Sequence, residues 1–189
     1  MWLIVGLGNP GKEYEKTRHN VGFLTLDAFA RDTHSESFKE TFSGLTSEAN
    51  FEEERIFLLK PLTYMNVSGR AVRELVDYYK IPPLHCMVIH DDIDLSLGQI
   101  RIKFDGGDGG HKGVRSIIEQ LNSPNFIRIR IGVEKQSNVT KHVLSGFSKK
   151  EKLIIEEAIE RGVEAIKMIL KDGYIKAMNR FNYYKKKDE

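Results

Sequence analysis

The chain is predicted to be an α/β protein: a single domain built on a mixed, mostly parallel, twisted sheet sandwiched between helices. Short runs that are apolar, or that alternate apolar with polar, are interleaved with segments whose apolar residues recur at helical spacing. The 189 residues, 40% of them hydrophobic, suffice for one well-buried core. The domain is expected to span residues 1–183, with 184–189 as a basic and then acidic tail.

Taken in order, residues 3–7 read as a buried strand, and 21–31 (VGFLTLDAFAR) as a helix. Residues 41–51 and 55–60 read as two paired strands joined by the acidic turn EEE. A helix over 66–80, a buried strand over 87–90, an alternating strand over 99–104, a helix over 114–121 and another alternating strand over 126–133 follow. The C-terminal third is helical. Ser148 and Glu151 form a capping box ahead of apolar positions running from Leu153 to Ile169; Gly173 stops that helix, and a last one covers about 174–183. No repeat or low-complexity linker interrupts this order.

Composition narrows the functional classes. The apolar run over residues 2–5 is too short for a signal-peptide core, and no run approaches the roughly 18 residues of a membrane span, so a soluble, cytoplasmic protein is expected. The lone Cys86, in HCMVIH, excludes an internal disulfide and a cysteine-cluster metal site, and reads as a buried structural thiol. Net charge is only +2, but 36–54 is acid-rich while 141–152 and 185–187 are basic. Such patches suit an RNA backbone or are merely solvated helix ends.

Gly6, Gly8 and Gly11 in WLIVGLGNPG have the spacing of a dinucleotide-binding loop. That loop must open directly into a helix whose amides hold a pyrophosphate; here Pro10 removes a donor and KEYEKTRHN intervenes. Asp27 and Asp32 fall on or beside the first helix rather than at the end of a second strand, so the dinucleotide reading fails. What remains is a strand end and a tight Asn-Pro-Gly turn, at the kind of edge where functional groups gather in an open α/β sheet. Asn9 is either a turn residue bonding its own backbone or a group with partners in that crevice.

KTRHNVG places His19 beside the same crevice, where it is a packing residue or a general base; a base needs an orienting carboxylate. Asp91, the first acid of MVIHDDID, is suited to accept from the imidazole and fix its tautomer. The acidic run does not read as a metal or nucleoside-triphosphate site, because no G-x-x-x-x-G-K-[ST] loop and no histidine pair at ligand spacing accompanies it. PLTYMNVSG carries Tyr64, Met65 and Asn66 into a helix start that Asn66 or Ser68 is available to cap. FDGGDGGHKG ends in His111 and Lys112 at another helix start, and is either a ligand-approaching loop or a flexible one.

Four strings in this order, GLGNPG with Tyr14 and RHNVG, PLTYMNVSG, HDDIDLSLGQIRIK, and GGDGGHKG followed by FIRIRIGV, closely resemble the bacterial-type peptidyl-tRNA hydrolases from about residue 3 to 181. The resemblance implies a monomeric α/β enzyme without cofactor or metal. Such an enzyme cleaves the ester between a peptide and the 3′ ribose of tRNA, which recycles tRNAs dropped by ribosomes. By matching motif, it implies His19 as catalytic base, Asp91 as its partner, and Asn9 as the residue discriminating blocked from free aminoacyl-tRNA. Tyr14, Tyr64 and Asn66 are implied substrate contacts, Met65 and His111 the lining of the peptide and acceptor-end channel. Lys103 and Arg130 match positions associated with the tRNA 5′-phosphate end, outside the active-site crevice.

In chemical terms, His19 is suited to activate a water, and the amides of Asn9 or Asn66 to donate to an oxyanion or place substrate. No serine or cysteine is paired with a base, so no covalent intermediate is required. Family members usually read GGHNG where this chain has GGHKG. Lys112 loses the amide acceptor and adds a cation free to meet a tRNA phosphate or solvent, with Asp108 as a local partner. Lys112 and the basic 141–152 stretch also suit an RNA-binding scaffold that has lost catalysis, and a small-molecule hydrolase is a third reading. The intact His19 and Asp91 favour the enzyme.

Overall fold

A computed structural model describes residues 1–183; the expected tail, 184–189, lies outside the described residues. The chain runs β1 (Trp2–Gly6), α1 (Val21–Asp32), β2 (Lys39–Thr41), β3 (Gly44–Phe51), β4 (Glu54–Pro61), α2 (Ser68–Tyr79), β5 (Cys86–Asp92) and β6 (Ile100–Phe104). It continues through α3 (Lys112–Leu121), β7 (Ile127–Gly132), α4 (Val139–Val143), α5 (Lys149–Asp172) and α6 (Tyr174–Phe181). The seven strands form one sheet in the order β2-β3-β4-β1-β5-β7-β6. Strands β4, β1, β5 and β7 are mutually parallel, while β2, β3 and β6 join antiparallel at the margins.

Burial on both faces explains why the central strands are apolar runs rather than strict alternations. In β1, Ile4 enters a core with Phe29 of α1 and Ile166 of α5, whereas Leu3 and Val5 enter a second core with Val72 of α2 and Ile117 of α3. Helices α1, α5 and α6 cover one face, and α2 with α3 the other, which gives three layers. The periodic apolar face of α5 is buried from Ile155 through Ile169, and its capping box forms as the spacing of Ser148 and Glu151 predicts.

Four local differences from the sequence reading have physical causes. Residues 41–51 are not one strand: Phe42 and Ser43 both adopt positive φ (51° and 52°), turning the chain between β2 and β3. Primed hairpin turns usually carry Asn or Gly there, so the turn has no compositional signal. Helix α2 starts at Ser68 after a 3₁₀ turn over Met65–Val67, and neither Asn66 nor Ser68 caps it; Ser68 Oγ donates to the Met65 carbonyl instead. Helix α3 starts two residues earlier than expected, at Lys112, because His111 supplies the N-cap through its ring nitrogen. The short α4, capped by Asn138, is too brief to show a periodicity.

The parallel strands discharge their carboxyl ends onto one edge, where open α/β sheets hold their ligands. Gly22 in the first turn of α1 lets that helix abut this edge. A Cβ there would lie about 2.6 Å from the Leu7 backbone nitrogen and oxygen, with the Ile89 carbonyl closer still. Helix propensity favours alanine over glycine by about 1 kcal/mol, whereas overpacking against rigid backbone costs about 1–3 kcal/mol or more. Gly22→Ala is therefore expected to lose about 2 kcal/mol of stability in urea denaturation; an unchanged or raised midpoint would show that α1 does not abut the sheet this closely.

Candidate active site

The loops beyond these strand ends enclose a cavity of about 460 Å³. His19 reaches it from the 3₁₀ turn Arg18–Asn20 that precedes α1, and Asp91 from the last turn of pleat in β5. The His19 Nδ1–H donates to Asp91 Oδ1 at 2.8 Å. A second imidazole, His111, donates Nε2–H to the same oxygen at 2.8 Å. The His111 tautomer is set by its other nitrogen, Nδ1, which accepts from the Val114 amide at 3.3 Å as the cap of α3. His19 has its Nδ1 against an acceptor-only carboxylate, so in the neutral ring its Nε2 carries a free lone pair.

Asp91 is 2% exposed. Burial alone would raise its carboxyl, but the neighbouring imidazoles of His19 and then His111, with their hydrogen bonds, outweigh it and hold the group well below the usual carboxylate range. A third imidazole, His90, packs on His111 with ring centroids 4.6 Å apart and donates Nδ1–H to the Asp91 carbonyl at 2.7 Å. Burial, and then the proximity of His111, pushes His90 well below the ordinary histidine value, so it is neutral. Its Nε2 is buried without a partner among the described residues.

Asn9 is held by three bonds. Its amide N–H donates to Asn20 Oδ1 at 2.8 Å, its carbonyl accepts from Asn20 Nδ2 at 2.9 Å, and its Oδ1 accepts from the Met65 amide at 2.9 Å. With the acceptor oxygen committed, the side-chain NH₂ is left as a donor in the cavity lining. Asn20 stands at the N-cap of α1 but makes no cap bond, because its side chain is engaged with Asn9. The sequence carries no pattern that assigns Asn20 this task; its adjacency to His19 is the available signal.

His19, Asp91, Asn9, Tyr64, Met65, Asn66, His111 and Lys112 all line the cavity, Tyr64 being 66% exposed at its rim. Tyr14 does not: it sits in the turn between β1 and α1, where its carbonyl accepts from Thr17 Oγ1. Lys103 and Arg130 were expected outside this crevice, yet both line the same cavity. Strands β6 and β7 pair antiparallel beside β5, and this pairing carries them to its edge; Arg130 is further held by Asp92 at 2.6 Å. Asp108 pairs with Arg115 at 3.1 Å rather than with Lys112, which is exposed and meets no carboxylate among the described residues.

Three groups of lining residues escaped the sequence reading: His90, Arg128 and the apolar wall of Val139, Val143 and Leu144. Arg128 is 2% exposed and donates to the carbonyls of Asp105, Gly106 and Gly107, which ties the glycine loop to β7. Burial, and then Arg130, lowers its guanidinium. In FIRIRIGV an inward arginine is indistinguishable from an outward one, since alternation alone does not say which face is buried. His19, Asp91 and His111 also form the one cluster of metal-capable side chains among the described residues. Both ring nitrogens facing Asp91 are placed as hydrogen-bond donors to one oxygen, and an ion at ligand distances of about 2.0–2.2 Å would have to displace those protons.

A three-layer α/β fold with an imidazole held by a buried carboxylate at the strand ends is the arrangement of a general-base site. Residues 3–189 match the sequence model of the family described as peptidyl-tRNA hydrolase, and the chain belongs to that family. It is 48% identical over 184 residues to the peptidyl-tRNA hydrolase of Caldanaerobacter subterraneus subsp. tengcongensis, covering 96% of this chain and all of that one. Against the same-named protein of Clostridium tetani the identity is 46% over 186 residues, covering 98% and 99% of the two chains. The fold superposes on the crystal structure of peptidyl-tRNA hydrolase from Acinetobacter baumannii with a TM-score of 0.92 at 38% identity, covering 98% of this chain and 96% of that one.

The depressed Asp91 carboxyl has a consequence for stability. A group whose folded value lies below its unfolded value of about 3.9 stabilises the fold above that value, and the contribution is lost as pH falls below it. Urea denaturation between about pH 5 and pH 3 should therefore show stability falling more steeply in the native chain than in Asp91→Asn. Parallel slopes would mean that Asp91 is not held ionised by the two imidazoles.

Proposed function

We propose that the chain hydrolyses the ester joining a peptide, or an N-blocked aminoacyl group, to the 3′ ribose of a tRNA, releasing peptide and free tRNA for reuse. The observation that carries this reading is the His19–Asp91 bond at 2.8 Å beside the donor amide of Asn9, in a cavity rimmed by cations. A water bound at His19 Nε2 attacks the ester carbonyl carbon, and the imidazole takes its proton as the new C–O bond forms. Asp91, ionised throughout, favours the imidazolium that results. The Asn9 NH₂ donates to the oxyanion of the tetrahedral intermediate, and Asn66, at the mouth, places the substrate. Collapse breaks the bond from carbon to the ribose 3′ oxygen, which takes the proton back from His19.

The step uses water alone, and neither cofactor nor metal enters it. In this reading Lys103, Arg130 and Lys112 hold phosphates of the acceptor end, with Met65 and His111 along the channel and Tyr64 offering an exposed ring for stacking. The form proposed for the active enzyme is a monomer. No helix among the described residues is long and apolar enough to cross a membrane. The expected workplace is the cytoplasm, where tRNA is the partner.

His19→Ala should lower kcat on N-acetyl-aminoacyl-tRNA by about 10²–10⁴ while leaving tRNA binding and the circular dichroism spectrum unchanged. Turnover within a few-fold of the native chain would remove His19 from the mechanism, and salt-sensitive binding by a native chain without turnover would leave only an RNA-binding function. Lys112→Asn should weaken binding and reduce the slope of log affinity against log salt by about 1. An unaltered slope would place Lys112 in solvent rather than on a phosphate.

A further inference from the structure

The residue immediately before His19 is a buried arginine that no part of the proposed chemistry uses. Arg18 is 5% exposed. Its Nη2 donates to both carboxylate oxygens of Glu151, at 2.8 and 2.9 Å, and its Nε to Ser145 Oγ at 3.4 Å. The guanidinium stacks over the Phe147 ring, 4.7 Å from its centroid. The Arg18 backbone amide donates to the Ser145 carbonyl at 3.0 Å, and Thr17 forms a β-bridge with Gly146.

All of these partners lie in 145–151, the stretch that follows the cavity wall formed by Val139, Thr140, Val143 and Leu144. Among the described residues the wall makes one other hydrogen bond to the body of the fold, from His142 Nε2–H to the Val133 carbonyl at 2.9 Å. Glu151 is committed twice, since the same carboxylate accepts from the Ser148 amide at 2.7 Å as half of the capping box of α5. A buried guanidinium without its carboxylate is costly, so the pair tolerates few alternative placements of the wall.

We propose that Arg18 is a positioning residue that registers the 139–148 wall of the cavity against His19, so that substrate is confined between the wall and the base. Arg18 touches no reacting atom. His19 and His111 are fixed by their bonds to Asp91, and the turn carrying His19 is also held through Asn20 to Asn9, so the arrangement survives loss of the Arg18 side chain. Losing that anchor loosens the wall, which weakens substrate placement more than the chemical step.

This inference rests on the hydrolase reading, and the experiment separates the two. Arg18→Ala, Arg18→Lys, Glu151→Gln and the double variant Arg18→Ala/Glu151→Gln are compared in the full chain, by hydrolysis of N-acetyl-aminoacyl-tRNA and by amide hydrogen exchange. For Arg18→Ala and Glu151→Gln, KM should rise about tenfold with kcat within about threefold, and exchange over 139–147 should quicken about tenfold. Arg18→Lys, which keeps the charge but not the fork, should fall between these and the native chain. The double variant should be no worse than Arg18→Ala alone, the mark of one shared interaction.

Unchanged KM and exchange in Glu151→Gln and Arg18→Lys would overturn the proposal, as would additive effects or a fall in kcat at constant KM. If Arg18→Ala does not fold, Glu151→Gln alone decides. A native chain without turnover overturns the hydrolase reading instead, and the exchange measurement then decides whether Arg18 holds the wall.

Discussion

One carboxylate oxygen organises the site. Asp91 Oδ1 accepts from two imidazoles at 2.8 Å each, inside a protein environment that leaves the residue 2% exposed. A buried charge is tolerated only when its hydrogen-bonding capacity is met, so the two rings and the carboxylate depend on one another. The bond to His19 aims the free Nε2 into the cavity. The bond to His111 fastens the first turn of α3, and with it the end of the glycine loop. His90 adds a neutral ring that packs on His111 without adding a positive charge beside it.

The rest of the fold brings these groups to one place. Parallel pairing of β4, β1, β5 and β7 sets the loops carrying Tyr64 to Asn66, Asn9 and Asp91 on one edge. Gly22 allows α1, and therefore His19, to sit against that edge at backbone contact. Asn20 then clasps Asn9 through both of its amide atoms, and Asn9 clasps Met65, so that the two ends of the β1–α1 connection and the loop after β4 share a single hydrogen-bonded seam. Arg128 does the same for the glycine loop from below, through three carbonyls, and Arg18 for the far wall through Glu151.

Much of this was legible in the sequence, because it depends on local pattern. The central strands, α1, α5 and the capping box follow from periodicity and from side chains that satisfy orphan amides. Asn9 and Asp91 stand out in the sequence as polar groups at strand ends, and His19 as an imidazole just before the first helix. The losses fall where local pattern is silent or where tertiary contact decides. Alternation in FIRIRIGV does not reveal that Arg128 points inward, the hairpin at Phe42 and Ser43 lacks turn residues, and α4, at five residues, is too short to repeat a helical pattern. Ser68 looked like a cap because serine commonly is one, yet the preceding 3₁₀ turn offers its hydroxyl the Met65 carbonyl first. Tyr14 shares a motif with the site but is not among the residues lining the cavity, and Lys103 and Arg130 join the cavity because β6 and β7 pair beside β5.

The most direct test of the shared carboxylate is the protonation pattern of the two rings. Long-range ¹H–¹⁵N correlation spectra of the imidazoles, recorded where both are neutral and assigned with His19→Ala and His111→Ala, report which nitrogen of each ring carries the proton. The geometry predicts His19 protonated at Nδ1 with Nε2 bare, and His111 protonated at Nε2. A His19 protonated at Nε2 would leave no base facing the cavity, and would contradict the account of how Asp91 arms the site.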